Sequence, residues 1–489
     1  MASVTSRGRG LVQTLSVKAE IRCFRGIEGA EAPLTPITVV TGRNNSGKSS
    51  LLEAFALGLA AWNGFGDWLG RDILRAIINR KLSGHPYWLL RSRCNDTSVD
   101  VDAPWGRAEV LLRKPGREAA RRLACRATGL LDERRLAFCL VLASAKPPET
   151  YLPAAWSLVL DVLKTLRAGC GSRLSSKAPA AARPGEAALL ADALLAGLRS
   201  AAETIIDASV EVKANLFDGG QVRISRIYYP GDGFLRHLFK NHVRRSLKEA
   251  ARGAAESLAA QGGGELDTQL LTDCIADAME SALLRAVGTG SVPKRGRGRG
   301  VRVFVLFHRL VAGSHGGLVE TLTKTVRDLH GLGLLEEYNS LLKAVPSLGL
   351  SDPFIEEGEI WFRTSDGRIA AHLLGDGALH LLLLLAGLAL TRGGDTVIVY
   401  EEPETGLHPG YMDVFARQLV KAVTSSRRVL VVLSTHSLEL IRYLVDAARK
   451  EGATELLTTI LMHEGGIFSV FRGAEVAEAS ELERDLRGI

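Results

Sequence analysis

The sequence predicts an α/β fold in which a discontinuous core sheet carries a large mixed and helical insertion. Two observations predict it. A glycine-containing loop at residues 42–49 lies between an apolar strand pattern and a helical pattern. Two later apolar runs, at residues 396–400 and 429–433, have the unbroken hydrophobic character of parallel strands covered on both faces. Because roughly 300 residues separate the first region from the later runs, we expect an insertion within the core.

The composition is that of a globular chain. Its 489 residues are enough for two to four domains of about 150 residues. Hydrophobic residues make up 46% and charged residues 24%, which excludes wholesale disorder and collagen-like structure. The longest apolar run, residues 381–390, is about half of a membrane-spanning helix and predicts a buried helix. The N-terminus lacks the apolar segment of a secretory signal, so we expect a cytoplasmic protein without a membrane partner.

The six cysteines are scattered along the chain without a C-x-x-C pair, which argues against a zinc knuckle and a thioredoxin-like site. We expect them to be buried thiols. Their spacing leaves open intracellular disulfides of the kind found in heat-adapted organisms. The cysteines are Cys23, Cys94, Cys125, Cys139, Cys170 and Cys274.

Charge is unevenly distributed along the chain. Residues 236–302 contain 12 basic and 7 acidic side chains, whereas residues 395–489 contain 10 basic and 15 acidic ones. A localised basic surface is typical of a protein that binds a polyanion, so the middle segment favours DNA as a partner. A solvated basic face remains the alternative.

The pattern along the chain predicts three regions. Residues 1–60 and 355–489 form the discontinuous core. Residues 61–230 are expected to hold antiparallel strands and helices, with an exposed linker near 171–186. Residues 231–354 are expected to form a mostly helical, basic lid or arm.

Within the insertion, residues 108–113, 135–141 and 209–229 have strand-like content, with a hairpin turn expected at 218–220. Residues 235–258 have apolar side chains four apart, which predicts a helix that packs on one face. The same helix carries a stripe of cations that either faces phosphates or is solvated. These cations are Lys240, Arg244, Lys248 and Arg252.

Residues 42–49 match G-x-x-x-x-G-K-[ST], and the strand before and the helix after them supply the context of a phosphate-binding loop. Glycines let successive backbone N–H groups and the helix N-terminus surround phosphate oxygens. Lys48 is expected to contact the β- and γ-phosphates, and Ser49 to bind Mg²⁺. The predicted nucleotide-contacting residues are Gly42, Arg43, Asn44, Asn45, Ser46, Gly47, Lys48, Ser49 and Ser50.

A buried strand ends in two acidic residues within VIVYEEPETGLHP, residues 397–409. Carboxylates at the C-terminal end of such a strand face the ligand crevice of an open α/β sheet. Glu401 is expected to hold Mg²⁺, directly or through water, and Glu402 to orient and polarise the attacking water. Alone, the sequence Glu-Glu-Pro-Glu also fits a solvated turn.

Two further motifs accompany these carboxylates. His436 follows the apolar run 429–433 on the same expected sheet edge, where its imidazole could bond a γ-phosphate or the catalytic water. Gly375, Asp376 and Gly377 precede the long apolar helix. By itself Gly-Asp-Gly is an ordinary turn, and it gains meaning only from the other three motifs.

In this order the four motifs resemble the ABC-type ATPase head of the RecF, chromosome-maintenance and OLD-like branch, commonly classed as AAA ATPases. The resemblance rests on IRCFRGIEG, TGRNNSGKSSLLEA, EEPETGLHP, STHS and the ending DLRGI, and covers about a third of the chain. It implies a P-loop NTPase fold with an ABC-type head that uses ATP and Mg²⁺. No Q-loop glutamine is identifiable, and the insertion lacks the heptads of a long coiled coil.

The resemblance also implies a homodimer or higher oligomer in which two heads sandwich ATP. Gly375, Asp376 and Gly377 would then be a signature loop that acts on the partner's nucleotide. The resemblance places Arg25 near the phosphates and makes residues 406–409 a dimer-contact turn. The segment after His436 is too short for the nuclease domain of OLD-like proteins, so any nuclease or effector would be a separate protein.

The leading functional hypothesis is therefore an ATPase whose nucleotide-dependent dimerisation drives or gates a DNA repair or antiviral defence process. Lys48, Glu402 and His436 are its expected catalytic residues. One alternative is a nucleotide-gated scaffold with little turnover. Another is the nucleotide-binding subunit of a transporter, although the chain lacks an LSGGQ-like signature.

Overall fold

The structure is a computed structural model, and it describes most of the chain. The described residues are 17–67, 71–90, 94, 96–144, 148–171, 186–217, 221–261, 266–288, 301–307, 315–426, 428–463 and 466–481. The hairpin turn expected at 218–220, the basic residues Lys294, Arg295, Arg297 and Arg299, nearly all of the linker predicted at 171–186 and the ending DLRGI lie outside these residues.

The core sheet has six strands in the order β15-β14-β3-β13-β12-β8. All neighbours are parallel except the β14–β15 pair at one edge. The three apolar runs predicted as buried strands are confirmed: β3, β12 and β13 have no exposed residue. The strands are β3 (Ile37–Gly42), β8 (Arg302–Leu306), β12 (Thr396–Glu401), β13 (Val429–Ser434), β14 (Leu457–Met462) and β15 (Phe468–Arg472).

A second, antiparallel sheet has the order β2-β1-β4-β5-β6-β7. It joins the first two strands of the chain to strands of the insertion, so a boundary at residue 60 crosses this sheet. Strand β8, from the segment 231–354, likewise belongs to the core sheet. The strands are β1 (Val17–Phe24), β2 (Ile27–Leu34), β4 (Asp96–Ala103), β5 (Gly106–Arg113), β6 (Val210–Phe217) and β7 (Gln221–Tyr228).

Helix α1 (Lys48–Ala60) lies between the two sheets. Nearly all of its residues are buried, and one hydrophobic cluster continues from the antiparallel sheet through α1 to the core sheet. At Gly58 an added Cβ would lie 2.6 Å from a methyl carbon of Val101 in β4, so glycine permits this close approach. The helix that follows the phosphate-loop motif is therefore fixed from both sides.

The other face of the core sheet is covered by helices and a small third sheet. The apolar run 381–390 is buried throughout, as predicted, and all but its last residue lie in an α-helix. The helices are α10 (His315–Gly331), α11 (Leu335–Lys343), α12 (Asp376–Ala389), α13 (Pro409–Thr424), α14 (Leu438–Lys450) and α15 (Ala474–Glu481), and the strands are β9 (Ser351–Glu356), β10 (Glu359–Thr364) and β11 (Gly367–Ala370).

The rest of the insertion consists of helices with a hydrophobic cluster of their own. A five-residue π-helix, Phe239–Val243, joins α7 to α8, so the helix predicted at 235–258 is continuous. Helix α2 does not belong to this helical cluster and lies beside the antiparallel sheet. The helices are α2 (Ile73–Lys81), α3 (Arg117–Gly129), α4 (Glu133–Ala143), α5 (Pro148–Gly171), α6 (Glu186–Asp207), α7 (Asp232–Leu238), α8 (Arg244–Gln261) and α9 (Thr268–Gly288).

The strand expected at residues 135–141 is wrong, because this segment lies in α4. Asp132 caps the helix by accepting the N–H of Arg134 and Arg135. Leu136, Leu140 and Ala143 are buried at helical spacing against neighbouring helices. The apolar composition of this segment does not reveal the capping residue or the helical spacing of the buried side chains.

The cationic stripe on the same insertion is partly neutralised. Arg244 donates to Asp277 at 2.8 Å, and Lys248 lies 2.6 Å from Asp273. Both carboxylates belong to α9, which packs beside α8. These two cations therefore contribute to a helix–helix contact, which neither the phosphate-facing nor the solvated interpretation of the stripe anticipated.

The expectation of six thiols is wrong, because the structure pairs all six cysteines in disulfides. The pairs are Cys23–Cys94, Cys125–Cys170 and Cys139–Cys274, with Cα–Cα distances of 6.2, 5.5 and 5.6 Å. Spacing along the chain does not reveal which residues become neighbours in space. Such bonds are typical of oxidising compartments and of intracellular proteins in hyperthermophiles, so the predicted cytoplasmic location requires the second case.

We expect reducing agent to lower the melting temperature by several degrees. The bonds span 71, 45 and 135 residues, and the chain-entropy relation assigns about 4 to 5 kcal/mol to each loop of this size. Calorimetry with and without dithiothreitol measures the effect. Alkylation of the denatured, unreduced chain should modify no cysteine, and modification of all six would contradict the pairing.

Candidate active site

The phosphate-loop motif connects the end of β3 to the start of α1. Its backbone is left-handed at Gly42, Asn45 and Gly47, with φ of +133°, +66° and +100°. A Cβ at Gly42 would lie 2.3 Å from the carbonyl oxygen of Met462, so only glycine fits there. The loop curls as predicted and brings the N-terminus of α1, with its unpaired N–H groups, to the end of the core sheet.

Lys48 occupies the first turn of α1, and its side chain turns back onto the loop. Its Nζ donates to the carbonyl oxygen of Gly42 at 2.8 Å and to that of Arg43. Burial lowers the pKa of Lys48, while the charge of Glu402 opposes that shift. The ammonium group is thus held at a defined position beside the loop amides.

The two acidic residues after β12 lie at the same sheet edge. Glu401 is buried as the last residue of β12. Glu402 has a left-handed backbone, with φ of +49°, and its N–H donates to the carbonyl oxygen of Ser434 at 2.9 Å. Its Oε1 lies 3.4 Å from Nε2 of His436. The chain therefore turns out of the strand at Glu402 and places this carboxylate against the imidazole.

His436 is positioned by a carboxylate that the sequence did not single out. Glu404 Oε1 accepts the N–H of His436 at 2.8 Å and the hydroxyl of Thr435 at 2.7 Å. The N–H of Thr435 donates to the carbonyl oxygen of Val40, which ties this turn to β3. Burial, followed by the charge of Lys48, lowers the pKa of His436, so its imidazole is neutral at pH 7.

Arg25 and Glu53 form a second charge pair at the site. Arg25 lies in the tight turn between β1 and β2, with φ of +51°, and its N–H donates to the carbonyl oxygen of Leu89 at 3.2 Å. Its guanidinium group donates to Oε2 of Glu53, whose side chain is fully buried in α1. The sequence patterns did not identify Glu53 as a residue of the site. A charged residue one turn after Ser49, inside an otherwise apolar helix pattern, was the available signal.

These side chains surround one cavity of about 390 Å³. It brings together most of the predicted residues from the phosphate loop, β12 and β13, together with Glu53. Gly42, Arg43 and Ser46 belong to the loop but do not line the cavity. The lining residues are Arg25, Asn44, Asn45, Gly47, Lys48, Ser49, Ser50, Glu53, Glu401, Glu402 and His436.

Gly375, Asp376 and Gly377 do not line this cavity. They begin α12, where Asp376 accepts a hydrogen bond from His315 at 2.6 Å. A Cβ at Gly377 would lie 2.6 Å from the carbonyl oxygen of Gly406, so this loop contacts the turn at 406–409 directly. The two segments implied to face a partner copy are thus neighbours on one surface.

Residues 37–85 and 336–442 match the family described as "AAA domain, putative AbiEii toxin, Type IV TA system". The matched residues make up about a third of the chain. The chain is also 32% identical over 117 residues to the uncharacterized protein MJECL11 of Methanocaldococcus jannaschii, and this match covers 24% of this chain and 100% of that protein.

Three solved structures resemble this chain at low sequence identity. The SMC head domain of Thermotoga maritima is 12% identical, covers 94% of this chain and 98% of its own, and has a TM-score of 0.33. The SMC heads of Pyrococcus furiosus, bound to the C-terminal domain of ScpA, and of Pyrococcus yayanosii are 9% and 11% identical, cover 97% of this chain and 100% of their own, and have TM-scores of 0.37 and 0.38.

The residues that line the cavity fit a magnesium ion. Ser49 and Glu401 both line the cavity and offer the hard oxygen ligands that Mg²⁺ prefers. In the described part of the chain, no three His, Cys, Asp or Glu side chains form a metal cluster. At nucleotide sites Mg²⁺ takes one or two protein ligands and completes its shell with phosphates and water. No described helix is long and apolar enough to cross a membrane.

We expect Glu404→Ala to destabilise the protein by about 2 to 3 kcal/mol, because two hydrogen bonds to a buried carboxylate are lost. Glu404→Gln should cost less, since its amide oxygen still accepts both bonds. Burial raises the pKa of Glu404, so the wild-type protein loses stability as pH rises from about 4.5 through that raised pKa. Urea unfolding from pH 4 to 8 tests this: Glu404→Gln should remove that slope, and equal losses in both variants would contradict it.

Proposed function

We propose that this protein binds ATP with Mg²⁺ and hydrolyses it, and that two copies close around the nucleotide to drive or gate a DNA repair or antiviral defence process with a partner protein. The observation that carries the proposal is the single cavity that joins the phosphate loop, Lys48, Glu401, Glu402 and His436. A phosphate cradle, a cation and a base beside one another are the parts that phosphoryl transfer to water needs.

The residues have separate parts in the proposed reaction. Loop amides and the ammonium group of Lys48 bind the phosphates and stabilise charge that develops on their oxygens. Glu402 orients the attacking water and takes its proton, and neutral His436 bonds that water or the γ-phosphate. Ser49 and Glu401 would hold Mg²⁺, which supplies further charge stabilisation when bound.

The proposed dimer is supported by the position of the loop formed by Gly375, Asp376 and Gly377. This loop lies outside the cavity of its own chain and beside the turn at 406–409. Leu373, just before it, is 64% exposed although it is apolar, as expected for a residue covered by a second copy. The family description, which names a toxin of a type IV toxin–antitoxin system, favours the defence interpretation over repair.

Mixing two variants tests the shared site. Lys48→Ala and Asp376→Arg should each be inactive, but an equimolar mixture should recover about a quarter of the wild-type turnover, because half of the two-fold dimers then hold one intact site. Phosphate release measures turnover. Recovery of no activity would contradict the shared site. A wild-type rate near zero would instead favour the nucleotide-gated scaffold.

A further inference from the structure

Four aromatic rings form a stack at the junction of the antiparallel sheet and the helical insertion. The ring of His85 lies parallel to that of Trp88, with 4.2 Å between centroids and 13° between planes. It also contacts Phe234, at 3.6 Å between centroids and 43° between planes, and the edge of Tyr87 at 5.5 Å. Phe234 stacks in turn on His237 at 6.3 Å. We call His85, Trp88, Phe234 and His237 the aromatic stack.

The outer end of the aromatic stack is open to solvent. Trp88 is 47% exposed although His85 covers one face of its indole. Tryptophan is usually largely buried, and an exposed indole fixed by a ring beneath it presents a flat apolar surface. Such a surface fits a planar, unpaired aromatic group.

The two segments that carry the aromatic stack have a strong charge bias. Residues 73–90 and 233–248 together contain eight Lys and Arg residues and no Asp or Glu. Arg236 and Lys240 are exposed, and neither forms an ion pair with a described residue, in contrast to Arg244 and Lys248. Arg236 and Lys240 follow Phe234 by two and six residues, so they lie towards the Phe234 end of the aromatic stack. Cations and an open aromatic face on one surface match an anionic strand with exposed bases.

The two segments are locked together by their backbones. The N–H of Gly231 donates to the carbonyl oxygen of Gly84 at 2.9 Å. A Cβ at Gly231 would lie 2.6 Å from Oδ1 of Asn79, so glycine allows this contact. The stack is therefore a fixed surface rather than a chance approach of mobile rings, and a ligand would bind it without an ordering cost.

We propose that the aromatic stack, with Arg236 and Lys240, binds single-stranded nucleic acid. One base lies on the open face of Trp88, and phosphates farther along the strand contact the two cations. Stacking on Trp88 requires a base free of its duplex partner, which selects single strands over double strands. This inference rests on the nucleic-acid role in the proposed function and does not depend on ATP hydrolysis.

The surface also lies next to the ATP cavity. Leu89, the neighbour of Trp88, accepts the N–H of Arg25 through its carbonyl oxygen, and Arg25 lines that cavity. A base stacked on Trp88 would thus lie next to Leu89, whose backbone contacts a residue of the nucleotide site.

The test is fluorescence anisotropy of labelled 20-nucleotide oligo-dT and oligo-rU with the full chain. Trp88→Ala should weaken binding of the single strand about tenfold, as expected for the loss of one stacked base. Trp361→Ala, which removes a tryptophan from β10 beside Arg368, should leave binding unchanged. Binding of either oligonucleotide that Trp88→Ala weakens supports the proposal, and the tighter of the two shows whether the DNA or the RNA strand is preferred.

Salt dependence tests the cations separately. The double variant Arg236→Gln/Lys240→Gln should reduce the slope of log K against log salt by about 1.4, because each phosphate contact on a single strand contributes about 0.7. Arg417→Gln/Lys421→Gln, on α13, is the matched control. Retained ATP turnover in the Trp88 and Arg236/Lys240 variants shows that they fold.

Two results would overturn the inference. One is no binding of either oligonucleotide by wild-type protein at low salt, and the other is a duplex that binds as tightly as the single strand with no effect of Trp88→Ala. Absent ATP turnover in wild-type protein that still binds the strand through Trp88 would overturn the proposed function alone.

Discussion

Glu402→Gln is expected to lower ATP turnover about 10²- to 10⁴-fold while ATP binding is retained. Glutamine preserves the size of the side chain and still accepts a hydrogen bond, but its amide cannot take a proton from water. Glu402 is the carboxylate that lies against His436, with 3.4 Å between Oε1 and Nε2, so its loss removes the base and leaves the phosphate loop intact. Phosphate release and analytical ultracentrifugation with ATP and Mg²⁺ measure the two effects, and the variant should accumulate as the dimer.

The matched control is Glu357→Gln. Glu357 is an exposed glutamate with the same left-handed backbone as Glu402, with φ of +52° against +49°, but it lies in the turn between β9 and β10. It should turn over ATP at the wild-type rate. Normal turnover in Glu402→Gln would show that another group activates the water.

Lys48→Ala should weaken ATP binding about 10- to 100-fold and abolish measurable turnover, because a charge-assisted contact to the phosphates is lost. The ammonium group is already held by the carbonyl oxygens of Gly42 and Arg43. The Lys48 side chain therefore loses little conformational entropy when the wild-type protein binds ATP. Isothermal titration with ATP and with AMP separates the contributions, since AMP lacks the phosphates that Lys48 is expected to contact.

Lys343→Ala is the control for Lys48→Ala. Lys343 is 61% exposed and lies 3.8 Å from Asp352, far along the chain from the phosphate loop. Its removal should change neither affinity nor turnover. Equal affinity of wild-type and Lys48→Ala protein for ATP would place the triphosphate elsewhere.

Local patterns were sufficient for the phosphate loop and for the strands beside it. The loop motif needs only adjacent residues, and the apolar runs that became β3, β12 and β13 need only the rule that doubly covered strands are hydrophobic throughout. For the same reason Glu401, Glu402 and His436 were found, because each follows the end of such a strand. Because parallel strands end at the same edge of a sheet, these three residues could be predicted to lie close together without any measured distance between them.

Contacts between distant segments could not be predicted in this way. Glu404 and Glu53 became visible as partners of His436 and Arg25 only when the fold brought segments about 30 residues apart together. The disulfides join residues up to 135 positions apart, and spacing alone had suggested thiols. Two cations of the stripe likewise form ion pairs with carboxylates on the neighbouring helix.

Neighbours in the chain are enough to predict the α/β core, the curled phosphate loop and the order of the acidic and histidine residues. Contacts between distant segments establish which carboxylate orients His436, which cations remain exposed, and that Trp88 stands open on His85. Those outcomes depend on burial and on pairing in space. Neither quantity is set by the spacing of residues along a chain.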